Sequence, residues 1–422
     1  MKKQNKFLKN FLSAAGMALL LGSFSFTALA ADSQNKIEEG KFAKTKTKLT
    51  QEEKAKKITA DLGVQPNKKQ AKKTKAKRGA TTKAEEQAVP TEPVQPVEPP
   101  KPVEPPKPQS IVVSVAGDCT MGSYLEEGQI FDPEYREPGS YEAYYSANGP
   151  TYFFQNVQEI FANDDFTWIN LEGPLSHYGP TEIKTFPIRC HPEEVNTLKA
   201  GSVEVCNIAN NHIYDCGWDG FNDTVKILTE NNLGISGEGH KYTTTKNGIK
   251  ITFLGYTSFA ANSELYDMIK KDIIQARTEG SNVVMVQFHG GEERIYYPPY
   301  DQQEVFRYTI DTGADVVIGA HPHVIQGIEM YKGKPICYSM GNFSFGANWN
   351  PVDKDTFIYQ ATFTMTADKK VSLTAQKVIP CRISSVSYRN DFCPTILTGE
   401  EGERVINRLR EYSSIFPVPY NF

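Results

Sequence analysis

The sequence lacks the short motifs that mark several common enzyme classes. No G-x-S-x-G occurs, so a serine hydrolase with a nucleophile elbow is a poor interpretation. No P-loop occurs either, and Gly234–Gly239 lacks the strand-to-helix setting of a dinucleotide-binding fingerprint. The functional groups must therefore be sought among other residues of the chain.

The chain after residue 110 also lacks positive charge. Residues 1–109 contain 22 Lys and Arg against 11 Asp and Glu, a net charge of +11, whereas the whole chain of 422 residues carries −4. Residues 110–422 therefore carry −15, which would repel phosphate and argues against a nucleic-acid partner. The uneven charge also argues against one continuous globule.

The N-terminus has the pattern of an export signal. Residues 10–31 contain no charged side chain and follow a cluster of lysines, and Ala28-Leu29-Ala30 offers the small residues that a signal peptidase reads. The alternative is a retained anchor, since about 20 apolar residues can span a bilayer. Residues 1–31 are thus predicted to be a signal peptide or membrane anchor, and either one places the rest of the chain outside the cytoplasmic membrane.

Residues 32–109 are predicted to be a disordered Lys-rich and Pro-rich linker. Residues 32–83 hold 16 Lys and Arg against 6 Asp and Glu with almost no aromatic residues, which leaves too little apolar surface to offset chain entropy. A repeated Val-Glu-Pro-Pro-Lys-Pro at 97–108 favours a stiff polyproline II stalk. The lysines could contact anionic lipid or an anionic wall polymer, or the segment could be only a solvated spacer.

Strand and helix patterns alternate from Ser110 onward, which predicts an α/β domain over residues 110–422. Strands are predicted at Ile111–Ala116, Phe166–Leu171, Val203–Ile208, Lys250–Tyr256, Val283–Phe288, Val316–Ile318 and Ile336–Ser339. Helices are predicted at Tyr152–Phe161, His191–Ala200, Gly217–Asn231, 265–276, Gln302–Thr312 and Glu403–Ser413. A hairpin of Phe357–Thr366 and Val371–Val378 is expected at a sheet edge.

Polar side chains follow six of the predicted strands. In α/β sheets, ligands bind beyond the carboxyl ends of the strands, so these side chains are expected to meet at one edge. The residues are Asp118, Glu172, Asn210, Asn211, His212, His289, Glu292, His321, His323 and Asn342. A single histidine at such a place is commonplace, whereas metal-type side chains after six strands are hard to attribute to coincidence.

The chemistry of this set fits a divalent metal site. Carboxylate, amide and imidazole donors suit Mn, Fe, Zn or Mg better than a thiolate metal. Two ions about 3.5–4 Å apart could share one carboxylate and act together on a phosphoryl or carbonyl group. His212 directly follows a predicted ligand, Asn211, and is therefore predicted to remain free to protonate a leaving group.

Six short motifs occur in an order that resembles one known family. They are Gly117-Asp118, Asn170-Leu171-Glu172-Gly173, Ala209-Asn210-Asn211-His212, Phe288-His289-Gly290-Gly291-Glu292, Gly319-Ala320-His321-Pro322-His323-Val324 and Ser339-Met340-Gly341-Asn342-Phe343. The series resembles the CapA family of poly-γ-glutamate capsule-synthesis proteins. That family is similar to calcineurin-like metallophosphoesterases, so the resemblance implies a four-layer metallophosphoesterase-like sandwich with a two-metal centre.

The resemblance also implies roles for single residues. By that resemblance, Asp118 and His323 would bind the first metal, and Glu172 would bridge the two metals. Asn211, His289 and His321 would bind the second metal, and His212 would be the acid. The wider superfamily begins with D-x-H, where this chain has Asp118-Cys119-Thr120. The first metal would therefore lose an imidazole, and Thr120 is a weak replacement.

The function predicted from this resemblance is a cell-surface role in poly-γ-glutamate capsule synthesis or export. Its expected partners are poly-γ-glutamate or another anionic polymer and membrane-bound polymer synthetase subunits, with the linker reaching membrane or cell wall. Two alternatives stay open. One is a secreted metallohydrolase of phosphate esters, and the other is a non-catalytic polymer-assembly factor that uses the same edge for binding alone.

The seven cysteines do not decide the redox state. An odd number leaves at least one thiol unpaired in an exported chain. Cys381 and Cys393 could pair, Cys190, Cys206 and Cys216 are further candidates, and a fully reduced chain is also compatible with the sequence.

We expect residues 110–422, produced without the preceding segments, to fold as a soluble unit, because the periodic strand and helix patterns lie there. Circular dichroism and size-exclusion chromatography of the shortened chain check this. Aggregation or a disordered spectrum of the shortened chain, with the full-length chain folded, would contradict the boundary.

Overall fold

The computed structural model describes residues 109–124, 137–181 and 184–422. The predicted signal segment and nearly all of the predicted linker lie outside these described residues. Within the described ranges, no helix is both long enough and apolar enough to cross a membrane.

Sixteen strands occur in the described part of the chain. They are β1 (Gln109–Thr120), β2 (Gly122–Tyr124), β3 (Phe166–Leu171), β4 (Ile188–Cys190), β5 (Val205–Asn207), β6 (Gly234–Ser236), β7 (Tyr242–Lys246), β8 (Ile249–Ser258), β9 (Val283–Gly290), β10 (Val316–Ala320), β11 (Ile328–Tyr331), β12 (Lys334–Cys337), β13 (Asn342–Phe345), β14 (Asp355–Met365), β15 (Val371–Arg382) and β16 (Thr395–Ile396).

Seven α-helices lie within the same described ranges. They are α1 (Tyr141–Asn148), α2 (Gln158–Ala162), α3 (Val195–Ala200), α4 (Gly217–Glu230), α5 (Ser263–Thr278), α6 (Tyr300–Thr312) and α7 (Gly399–Ser413). A 3-10 turn, Pro192–Glu194, leads directly into α3.

Two large mixed sheets form the body of the domain. The first has the order β16-β15-β14-β1-β3-β5-β6, and β13 also pairs with β1. Its strands β1, β3, β5 and β6 run parallel, whereas β14, β15 and β16 are added antiparallel. The predicted edge hairpin is therefore confirmed as β14 and β15. The second sheet has the order β11-β12-β10-β9-β8-β7, with β8, β9, β10 and β12 parallel.

The two sheets face each other across a shared apolar core. Val113, Trp168 and Val205 from the first sheet pack in one cluster with Phe253 and Met285 from the second. The Trp168 and Phe253 rings meet edge to face with centroids 5.1 Å apart. Because side chains alternate along a strand, the intervening residues of the same strands point to the opposite faces.

Helices cover those opposite faces. Ile169 of β3 lies in a cluster with Leu198 of α3 and Leu228 of α4. On the second sheet, Val286 of β9 lies in a cluster with Ile273 of α5 and other residues of α5 and α6. The strands are therefore buried on both faces, which explains their nearly continuous apolar sequences. This arrangement confirms the predicted mixed α/β class.

Several predicted elements have different bounds in the structure, and two of them show a physical reason. The strand predicted at Ile111–Ala116 continues to Thr120, because β1 keeps pairing with β3 and β13 across an irregularity in register. The helix predicted at Tyr152–Phe161 begins only at Gln158. The residues before it form separate turns with hydrogen bonds three residues apart, such as Val157 N–H to Phe154 O.

All seven cysteines are free and buried in this structure. Burial raises the pKa of the Cys119 thiol, which packs in the apolar cluster on the outer face of the first sheet. The cysteines therefore act as small apolar core residues, and Cys381 and Cys393 remain unpaired.

Candidate metal centre

The centre lies where parallel strands of both sheets end. Asp118 is near the end of β1 and Glu172 directly follows β3, whereas His289 is at the end of β9 and His321 directly follows β10. The pairing register brings Asp118 opposite Asn170 in the first sheet and His289 opposite Ala320 in the second. Each sheet thus supplies part of one site, as the sequence predicts for strand ends.

Asp118 is completely buried and joins the two sheets. Its Oδ1 accepts a hydrogen bond from Asn170 Nδ2 at 2.9 Å, and its Oδ2 accepts one from the His321 backbone N–H at 3.1 Å. His323 Nδ1 lies 3.5 Å from the same Oδ2. The carboxylate therefore fixes the turn that carries both histidines.

Glu172 has an unusual environment. It is completely buried, and both of its carboxylate oxygens have no hydrogen-bond partner among the described residues. Burial, together with the nearby charge of Asp118, raises the pKa of Glu172 to about 8. A buried carboxylate without partners is costly unless a cation or a proton compensates its charge.

His289 is held by amide side chains on two sides. Asn170 Nδ2 lies 3.0 Å from its Nδ1, and Asn211 Oδ1 lies 2.7 Å from its Nε2. Complete burial, with the neighbouring histidines, keeps the pKa of His289 well below its usual range. The ring is therefore neutral, which is the state that binds a metal ion.

His321 and His323 lie in a turn with unusual backbone geometry. Their φ angles are 96° and 56°, a left-handed region that residues with a side chain seldom adopt. Burial lowers the pKa of His321 to about 4, so this ring is also neutral near pH 7. Backbone outliers of this kind concentrate at functional sites, where the surrounding contacts hold them in place.

His323 connects the histidine turn to both carboxylates. Its Nε2 lies 3.9 Å from Glu172 Oε1, and its Nδ1 lies 2.8 Å from Asn342 Oδ1. Burial alone would lower the pKa of His323, but the charges of Glu172 and Asp118 outweigh it and raise the pKa to about 9. Asn342, predicted at the edge of the site, thus orients the His323 ring.

His212 faces Glu172 from the loop after β5. Its Nε2 lies 3.8 Å from Glu172 Oε1, and its Nδ1 lies 2.7 Å from Asp215 Oδ2. Asp215 is 1% exposed and also forms an ion pair with Lys184. Because the carboxylate occupies one ring nitrogen, the other nitrogen is directed towards the centre.

Two of the predicted site-edge residues, Asn210 and Glu292, are not among the candidate metal ligands. Asn210 is buried, where its Nδ2 donates to Leu171 O at 2.8 Å and its Oδ1 accepts from His212 N–H at 3.1 Å. It therefore shapes the loop that carries Asn211 and His212. Glu292 is exposed, and the residue that lies with the histidines is its neighbour Glu293.

Asn170, Asp215 and Glu293 belong to the centre but are not predicted by the sequence pattern. Asn170 is the last-but-one residue of β3, so the pattern assigns its side chain to the strand rather than to the site. The spacing of Asp215 is a usable signal, because it lies three positions after His212 in a tight turn. Glu293 cannot be distinguished from Glu292 without the path of the loop.

The residues present fit a metal ion. Asp118, Glu172 and His289 offer one donor atom each within 4.8 Å of one another, and we call them the inner group. Glu293, His321 and His323 satisfy the same criterion, and we call them the outer group. The neutral imidazoles of His289 and His321 and the unpartnered oxygens of Glu172 are donors that hard and borderline divalent ions prefer, whereas His323 must release a proton to bind one.

These features define an α/β protein with a candidate metal centre at the strand ends of two sheets. The sequence model of a family described as bacterial capsule synthesis protein PGA_cap matches residues 112–347, more than half of the chain. The chain therefore belongs to this family, and the resemblance that the six motifs carry is confirmed.

Three named relatives show how far the similarity extends. "PGA biosynthesis protein CapA" of Bacillus subtilis is 31% identical over 258 residues, which cover 56% of this chain and 63% of the relative. "Capsule biosynthesis protein CapA" of Bacillus anthracis is 29% identical over 279 residues, 60% of this chain and 64% of the relative. A "probable polyglutamine synthesis accessory protein" of Mycobacterium tuberculosis is 26% identical, with 52% and 66% covered. The match spans less than two thirds of each relative.

We expect His289→Ala and His321→Ala each to reduce the divalent metal bound by the protein, or to weaken its binding by about 10–100-fold, because each removes a neutral imidazole from the centre. Elemental analysis after dialysis measures this. His240→Ala is the control, since the His240 ring packs near Phe221 of α4. Unchanged metal content in both variants, measured on folded protein, would contradict the assignment.

Proposed function

We propose that this protein acts in poly-γ-glutamate capsule synthesis or export through a divalent metal centre. The observation that carries the proposal is the inner group, with two unpartnered carboxylate oxygens, in a member of a capsule-synthesis family. The two facing sheets with helices outside them support a four-layer metallophosphoesterase-like sandwich. The proposed ion is Mn, Fe, Zn or Mg.

The side chains around the centre have distinct proposed roles. Asp118, Glu172 and His289 would hold an ion, and Asn211, His321 and His323 would supply further donors at the centre. A bound divalent ion provides Lewis-acid polarisation of a phosphoryl or carbonyl oxygen. The chain itself contributes the fixed ring of His212, because the Asp215 carboxylate holds its Nδ1 and directs its Nε2 to the site. His212 is thus placed to transfer a proton to a leaving group.

Charge supports a cation between the domain and an anionic polymer. Residues 110–422 carry −15, and poly-γ-glutamate is itself a polyanion, so direct contact between them is repulsive. Bound divalent ions at the centre, or the lysines of the preceding segment, offset that repulsion. The proposed partners are therefore the polymer or a polymer-linked intermediate and the membrane-bound synthetase subunits that produce it.

An export signal and a Lys-rich linker agree with such a role. Residues 1–31 as a signal or anchor, followed by residues 32–109 as a tether, would hold the domain at the extracellular face of the membrane or in the wall. There the domain would meet the polymer as it leaves the cell.

One observation favours a catalytic function, which includes the alternative of a secreted phosphate-ester hydrolase, over a pure assembly role. The paired His212 and Asp215 resemble an acid oriented for catalysis more than a binding surface. A pure assembly factor would need the metal-binding residues but would not need this pair.

We expect His212→Ala to retain metal but to lower the reaction rate by about 10²–10⁴-fold, the usual contribution of a positioned acid. Asn211→Ala is expected to lose metal and rate together, because the Asn211 amide contacts His289. The measurements are capsule yield in cells and metal content of the purified variants.

His177→Ala is the matched control, because His177 is an exposed histidine of the same domain. Normal capsule yield from His212→Ala, at a normal protein level, would refute the catalytic role and leave the metal centre standing. Normal yield and normal metal content in the Asn211→Ala variant would count against the centre itself.

A further inference from the structure

The loop that follows β9 brings a carboxylate to the two histidines of the strained turn. Glu293, His321 and His323 each offer a donor atom, and these atoms lie within 4.8 Å of one another. This outer group shares no residue with the inner group of Asp118, Glu172 and His289. The two groups are nevertheless adjacent, since His321 Nδ1 lies 3.1 Å from His289 Nε2.

One tightly packed glycine and two hydrogen bonds fix the backbone around Glu293. On one side Gly291 has a φ of 100°, and a Cβ there would lie 2.8 Å from the side-chain oxygen of buried Gln302. On the other side the Arg294 N–H donates to Pro322 O at 2.8 Å, and Ile295 O accepts from Gln326 Nε2 at 2.7 Å. The Arg294 contact ties the loop directly to the residue between the two histidines.

The differing exposure of the two groups gives them different access to solvent. The inner group is completely buried, whereas Glu293 is exposed and the His323 side chain is 21% exposed. Two imidazoles and one carboxylate form a donor set that binds Zn or Fe and leaves coordination positions open. A ligand from solution can therefore reach an ion in the outer group more readily than one in the inner group.

We propose that Glu293 is the charged ligand of a solvent-accessible cation position of this centre, the outer site, beside His321 and His323. This inference rests on the proposed metal centre and assigns an additional ligand to it.

The test uses the full-length chain and Mn²⁺. Equilibrium dialysis counts bound ions, and water-proton relaxation reports whether bound Mn²⁺ is reached by solvent. The Glu293→Gln variant is expected to lose about one ion per chain and most of the relaxation enhancement, because its neutral amide is a poorer ligand. Glu292→Gln is the matched control, since it changes the adjacent exposed carboxylate, and it is expected to behave as the unaltered protein.

Glu172→Gln separates the inference from the proposed function. It removes a charge from the inner group and is expected to reduce bound Mn²⁺ while solvent-accessible ions persist. If the unaltered protein binds Mn²⁺ and Glu293→Gln matches it in both measurements, the outer site is refuted and the centre stands. Equal losses of bound Mn²⁺ in Glu292→Gln and Glu293→Gln would also refute the outer site, because they would indicate that Mn²⁺ responds to the overall surface charge and not to Glu293 as a ligand. If the unaltered protein binds no Mn²⁺, the centre and the outer site both fail.

Discussion

Two buried carboxylates at the ends of adjacent parallel strands are the constraint on which the rest of the centre depends. Asp118 is satisfied by Asn170 and by the His321 backbone, whereas Glu172 has no hydrogen-bond partner among the described residues. Burial, together with the nearby charge of Asp118, raises the pKa of Glu172 to about 8. An ionised Glu172 is therefore electrostatically unfavourable in the folded protein, and a bound cation would compensate its charge.

The two-sheet architecture explains how these side chains are held close together. The first sheet supplies the carboxylates and the second supplies His289 and the histidine turn, so the centre lies at the junction of both. Asn207 Nδ2 donates to Asn170 Oδ1 at 3.0 Å, and Asn170 in turn contacts Asp118 and His289. The buried amides of Asn207 and Asn170 thus lie next to the candidate ligands and connect the first sheet to His289 of the second. Networks of this kind orient metal ligands and are commonly as important as the ligands themselves.

Much of this arrangement follows from the sequence, because residues after buried strands must meet at one edge of a parallel sheet. Strand ends alone predict Asp118, Glu172, His289 and His321 as members of the site. They do not predict Asn170, since a polar residue inside an apolar strand carries no sign of which neighbours it will face. They favour Glu292 where the structure brings Glu293 to the histidines, because the choice between adjacent residues depends on the conformation of the loop after β9. Long-range contacts of this type are absent from any local pattern.

The most direct test of the central claim compares unfolding of the unaltered protein and Glu172→Gln, each with EDTA and with Mn²⁺. At a pH above about 8, where Glu172 is ionised, removing its buried charge should make the metal-free variant more stable than the metal-free unaltered protein. Mn²⁺ at a hundred times its dissociation constant should stabilise the unaltered protein by about 2.7 kcal/mol and the variant much less. A variant that is less stable in EDTA, and that gains as much from Mn²⁺ as the unaltered protein does, would contradict the account.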